Sequence, residues 1–181
     1  MKNASDSRLA ALIERLARLA AAGEWSADLN PAQAAALSYL GRANRYSRAP
    51  SQVADYLEAT RGTVSPTLKG LIAVRRSETD RRTLSCEVTA KGRVALAAVR
   101  PLDTAVASMD PTMRLSAEAG IEALIARLLG ARGGRSFGLC RTCSHHEGRE
   151  DAGGFCRLLS VALVPADAEL ICHEHALAEA A

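Results

Sequence analysis

Four of the five cysteines stand in the last quarter of the chain, as Cys140-x2-Cys143, then Cys156 after twelve residues and Cys172 after fifteen more. Two thiolates separated by two residues can grip one ion from a single turn, and sulfur ligands suit zinc and iron–sulfur clusters. A disulfide framework is disfavoured in the reducing compartment expected for this chain. Structural zinc sites of four thiolates commonly use two Cys-x2-Cys pairs. Here there is one pair and two single cysteines, a set that suits an iron–sulfur cluster better, with zinc as the alternative and a metal-free thiol switch as a third reading. His145, His146, His173 and His175 are all of the histidines and lie in the same segment, so three thiolates with one imidazole is also open; otherwise they are expected to be exposed or to support the ligands. Both phenylalanines, Phe137 and Phe155, fall here as well. Together with Leu139, Leu158, Leu159, Leu163 and Ile171 they are expected to form a dry shell around the sulfurs. A dithiol oxidoreductase would need the pair at a helix N-terminus after a strand, and nothing around Cys140 has that pattern, so an enzyme is not expected.

A second chemistry lies earlier. Residues 42–93 hold eleven Lys/Arg against five Asp/Glu, a local balance of +6 in a chain whose net charge is +3. Such a concentration of positive charge suits a polyanion, above all duplex DNA. Aromatics make up 3% of the chain, too few for the stacking platforms of a single-strand binder. No apolar run approaches the roughly 20 residues a membrane helix needs. The N-terminus lacks the continuous apolar core of a secretory signal. A cytoplasmic protein of 181 residues follows as the expectation, one compact domain at residues 1–130 with a cysteine-rich extension at 131–181.

The elements that must position these groups are legible in part. Leu9, Leu12, Ile13, Leu16, Leu19 and Ala20 mark one helical stripe ending near Gly23. Asn30, Pro31 and Gln33 have the types of an N-cap, first and third helical position, and Ala34, Leu37 and Leu40 carry that helix to about Gly41. Pro50 opens a short helix with Val53, Ala54 and Leu57, and Thr60 caps another from Arg61. Leu71–Arg76 and Thr83–Thr89 read as the two strands of a hairpin tipped by Ser77–Arg82, with Cys86 a small buried residue on the second. Thr89 then caps a helix that Pro101 must kink or divide, and a last helix through Ile121, Leu124, Ile125, Leu128 and Leu129 is stopped by Gly130, Gly133 and Gly134. Helix, helix, short helix, turn, helix, hairpin, helices is the order of a winged helix-turn-helix, a mainly α fold with a small β wing.

Within that order, Pro50-Ser51-Gln52-Val53-Ala54, Thr60-Arg61-Gly62-Thr63-Val64-Ser65 and Asp80-Arg81-Arg82 followed by Val88-Thr89-Ala90-Lys91-Gly92-Arg93 resemble the MarR family of bacterial regulators over roughly residues 5–130. The resemblance implies a homodimer built on the first and last two helices, and a two-fold dimer calls for an inverted-repeat operator. Arg61, Thr63, Ser65, Thr67 and Lys69 are the polar groups of the recognition helix, able to donate to phosphates or base edges. Arg82 is the expected minor-groove or backbone finger and Asp80 its partner at the wing tip, with Arg75, Arg76, Arg81, Lys91 and Arg93 directed at phosphates. Three features depart from the pattern: fewer residues between Lys69 and the wing, Pro66 within the recognition helix, and Glu58 at a turn position that often carries glycine. The cysteine segment is not general to the family.

Overall fold

The computed structural model describes residues 4–24, 29–77, 82–98, 101–132, 134–148 and 153–177. Helix α1 spans Ala4–Glu24 and α2 Pro31–Leu40. The α2 start is the expected one: Asn30 Oδ1 accepts from the Gln33 amide at 2.9 Å and Gln33 Oε1 from the Asn30 amide at 2.9 Å, two otherwise orphaned donors satisfied reciprocally. Helix α2 is the central post of the fold, with Ala34, Ala36, Leu37, Tyr39 and Leu40 all buried.

Helices α3 (Pro50–Tyr56) and α4 (Arg61–Thr67) form the helix-turn-helix. Glu58, in the turn between them, is held at φ 50°, the left-handed conformation that glycine usually supplies. Helix α4 has only seven residues, with Pro66 inside it and Val64 and Leu68 as its buried anchors. Gly70, at φ 80°, turns the chain at once into β1 (Ile72–Arg76), antiparallel to β2 (Leu84–Val88) with Ile72 opposite Val88 and Arg76 opposite Leu84. Leu71 falls outside the strand because it belongs to the turn, where its carbonyl accepts from the Thr89 amide at 3.0 Å.

Helix α5 (Ala90–Ala98) is capped as expected, the Thr89 hydroxyl accepting from the Gly92 amide at 3.1 Å. A new helix, α6 (Pro101–Ala107), begins at Pro101. Helix α7 (Pro111–Arg132) departs from expectation at both ends. It starts ten residues before the apolar stripe because Asp110 Oδ1 caps it, accepting from Thr112 at 2.9 Å and Met113 at 3.1 Å. It also runs through Gly130, since one glycine costs a helix about 1 kcal/mol, too little to end 22 residues of it.

The cysteine segment follows. A 3-10 turn at Cys140–Thr142 leads to a small antiparallel sheet of β3 (His146–Glu147), β4 (Gly154–Cys156) and β5 (Val161–Leu163), then the short α8 (Pro165–Ala168). This segment leans on the loop between α2 and α3: Ile171 donates to the Arg42 carbonyl at 2.8 Å and accepts from the Asn44 amide at 2.9 Å. None of the described helices is long and apolar enough to cross a membrane.

Candidate functional site

On the basic face, Lys69 is exposed at the end of α4 and Thr67 half-buried, its carbonyl held by the Gln33 side chain at 2.8 Å. Arg75 and Arg76 lie exposed on β1, Arg75 paired with Glu87 of β2 at 3.4 Å. Arg82 is exposed where the chain re-enters the wing. Arg61, Thr63 and Ser65 take the first, third and fifth positions of α4. Asp80 and Arg81 lie outside the described residues.

The four cysteines of the extension converge. Cys140, Cys156 and Cys172 share one buried cluster with Leu163, against which Tyr46 and Val161 pack. Cys143, also buried, follows Cys140 around the 3-10 turn and accepts from the Ala176 amide at 3.4 Å. Cys86 is apart from them, in the helix-turn-helix core, where burial pushes its thiol up to about 11. The hydrogen bond between Cys140 and Cys172 sets their acidities in opposite directions. It holds the proton on Cys140, helped by burial and by the nearby Cys156 and Cys143, and draws the Cys172 thiol down to about 6. Against the burial of Cys172, the Glu174 amide and the side chains of Asn44 and Ser47 add further donors to its sulfur. Donors aimed at a sulfur favour its thiolate form. Among the described residues no group of three or more His, Cys, Asp or Glu side chains is arranged as a metal site as it stands; a thiol that keeps its proton for a neighbour must release it before it can ligate.

The expected aromatic shell around the sulfurs is a correction. Phe137 packs instead on the helix-turn-helix core, edge-on to Tyr39 at 5.8 Å and Tyr56 at 5.1 Å. Phe155 alternates with Cys156 along β4 and so faces the opposite side of the sheet. Leu158 and Leu159 are exposed on the turn that follows.

Two of the histidines are buried, which sequence reasoning did not foresee. His173 is bonded by both ring nitrogens, Nε2 to Asp55 of α3 at 2.9 Å and Nδ1 to Glu174 at 2.8 Å. His175 is likewise bonded to Ser136 at 2.6 Å and Thr142 at 3.0 Å, and its burial lowers its pKa against the opposing pull of Thr142 and Glu122. With both nitrogens committed, neither ring is offered to the sulfurs.

These contacts make the loop at residues 41–49 a junction. Ser47 accepts from the His173 amide at 2.9 Å and Arg45 pairs with Asp167 at 3.0 Å. On its other side the Arg48 carbonyl accepts from the Cys86 amide of β2 at 2.7 Å. One short loop thus bonds to the cysteine segment and to the wing, and runs directly into α3.

No protein-family model matches the chain, and no curated protein does. Among solved structures it is similar to a mutant of S. aureus MepR from a multidrug-resistant clinical isolate, with 19% identity over 71% of this chain and 99% of that one, TM-score 0.52. It is also similar to Streptococcus pneumoniae FabT in complex with DNA, with 22% identity over 70% of this chain and 99% of that one, TM-score 0.52. Both are MarR-family transcription regulators rather than enzymes. The fold is a MarR-type winged helix. Identities this low fix the fold and nothing finer, and about three-tenths of this chain lies outside the likeness.

Proposed function

We propose that this protein is a homodimeric, DNA-binding transcriptional regulator whose Cys140, Cys143, Cys156 and Cys172 hold an iron–sulfur cluster that responds to redox state, oxygen or iron. The winged-helix fold, the basic face from Lys69 to Arg82, and a DNA-bound FabT among the similar structures support the first half of the reading. An inverted-repeat operator would follow from two-fold symmetry.

The observation that carries the second half is the placement of Cys172. Asn44 and Ser47, both buried in the loop that leads into α3, face its sulfur and favour the thiolate. Cys140, Cys156 and Cys172 in one buried cluster, with Cys143 one 3-10 turn from Cys140 and accepting from the Ala176 amide, are sulfur donors of the kind that hold a thiolate-bound metal centre. An iron–sulfur cluster, when bound, supplies a change of charge or of ligation in response to oxidants or iron supply. Asn44 and Ser47 would feel any change at Cys172, and the bonds from Ile171 and His173 to the same loop would carry it to α3.

Zinc is the second reading, favoured by the tight turn at Cys140–Cys143 beside a very small sheet, an arrangement suited to a structural staple. Purification without oxygen separates the two. Brown protein with iron and acid-labile sulfide supports the cluster; colourless protein with one zinc per chain supports the staple; protein with neither, however reconstituted, overturns both.

A further inference from the structure

Helix α4 cannot hold its own end. It has seven residues, well short of the roughly 12 to 15 at which an isolated helix becomes even marginal, and Pro66 has no amide hydrogen to give the Gly62 carbonyl. Its last carbonyl, that of Thr67, lies beyond the reach of any amide of the same helix. The start of α2 supplies what is missing. Gln33 Nε2 donates to the Thr67 carbonyl at 2.8 Å, while Gln33 Oε1 accepts from the Asn30 amide at 2.9 Å. The side-chain amide is thereby fixed at both ends, its oxygen toward an N–H and its nitrogen toward a C=O. Just past α4, Leu71 is buried against Leu29, Ala34 and Leu37. Val64 and Leu68 hold α4 to the core by apolar contact, which has no direction, whereas a hydrogen bond fixes an angle. Because Gly70 turns the chain at once into β1, a hold on Thr67 is also a hold on the root of the wing.

We propose that Gln33 is a positioning residue for DNA recognition, its amide setting the angle at which α4 and the wing root meet the duplex. The proposal rests on the DNA-binding reading above, under which α4 is the recognition helix, and is independent of what the cysteines hold. Gln33 acts through Thr67 and needs no contact with DNA. Phosphate contacts made by long, mobile side chains tolerate a small tilt of the helix, and paired bonds to base edges do not. Loss of the Gln33 bond therefore costs sequence discrimination before it costs binding to duplex DNA in general.

Two variants of the full chain share one loss. Gln33→Glu keeps the acceptor that caps α2 and removes the donor to Thr67; Gln33→Met removes both and adds no charge. Each is titrated against a short duplex selected from a random pool by the wild-type chain and against a scrambled duplex of the same composition. The ratio of the two affinities, from which a general charge effect cancels, should fall roughly three- to tenfold in both variants, the worth of one hydrogen bond. Hydrogen exchange at the Leu68 and Lys69 amides, which bond to Val64 and Pro66, should quicken in both. Should Gln33→Met loosen α2, Gln33→Glu still carries the test, because quickened exchange tells a lost brace from an added charge. A ratio that falls in Gln33→Met alone would assign the effect to the α2 cap, and one that falls in Gln33→Glu alone, with exchange unchanged, to the new charge. A ratio that falls in neither would leave Gln33 outside recognition. Each of these three overturns the proposal. If the wild-type chain selects no duplex, the DNA-binding reading itself fails, and quickened exchange in the variants would then leave Gln33 a brace of the fold alone.

Discussion

At Gly92 a Cβ atom would stand 2.2 Å from the carbonyl oxygen of Leu71 and 2.8 Å from Val88, while the Gly92 amide is already committed to the Thr89 hydroxyl. That hydroxyl also reaches the carbonyls of Gly70 and Leu71 at 2.9 and 3.1 Å, so threonine and glycine together clamp the start of α5 onto the root of the wing. The Val88-Thr89-x-x-Gly92 pattern therefore has a steric cause. Gly92→Ala should destabilise the protein by about 1 to 3 kcal/mol in urea unfolding, and an unchanged midpoint would show that α5 shifts freely. His175 is a second case in which one residue sets a global property. Its folded pKa lies below the ordinary 6.5, so as pH falls past 6.5 the unfolded chain takes up a proton that the buried ring still refuses. Its contribution is fully present above pH 6.5 and is lost on acidification. Melting temperature should fall between pH 7.5 and pH 5.5, and His175→Gln should flatten that slope.

Among the elements, α1 and α7 leave rows of apolar side chains half-exposed. Leu9, Leu12, Leu16 and Leu19 of α1 are between 44% and 58% exposed, and Ile121, Ile125 and Leu128 of α7 between 43% and 52%. A second copy covering these stripes would remove a large apolar area from water. Leu16→Asp combined with Leu128→Asp should give monomers in sedimentation experiments, and a persistent dimer would place the interface elsewhere. In the wing, Arg82→Ala should cost about 1 to 3 kcal/mol of operator affinity, whereas Lys91→Ala should mainly reduce the salt slope by about one unit; equal effects would remove Arg82 from its special role. The helices that could be read from sequence are those whose signals are local: Asn30-Pro31-x-Gln33 before α2, Pro50 before α3, Thr89 before α5 and Pro101 before α6. The three strands of the cysteine segment are two or three residues long, too short for alternation to register. Phe137 packs on Tyr39 and Tyr56 rather than at the sulfurs through contacts roughly a hundred residues distant in sequence, which no local pattern encodes. Spacing singled out the four cysteines; the seating of Cys172 beside Asn44 and Ser47 it could not show.

For the molecule as a whole, the cysteine segment and the helix-turn-helix share one core: Phe137 and Ile171 pack with Tyr39, Ala43 and Val53. Removing a bound metal, or replacing any one of Cys140, Cys143, Cys156 and Cys172 by serine, should therefore be felt beyond the segment. Hydrogen exchange should quicken at the amides of Asn44 and His173 while those of α7 stay as they were, and Cys86→Ser should leave the metal content intact. Exchange confined to residues 134–177 would disconnect the sulfurs from the winged helix. The bond from the His173 amide to Ser47 joins residues 126 positions apart. On the ribosome the winged helix is synthesised well before its loop's partner, and the Asn44 amide waits without its acceptor until Ile171 has emerged. A nascent chain halted between the two holds a complete helix-turn-helix whose supporting loop is unfinished, so premature termination late in the message would yield a protein damaged in its first third.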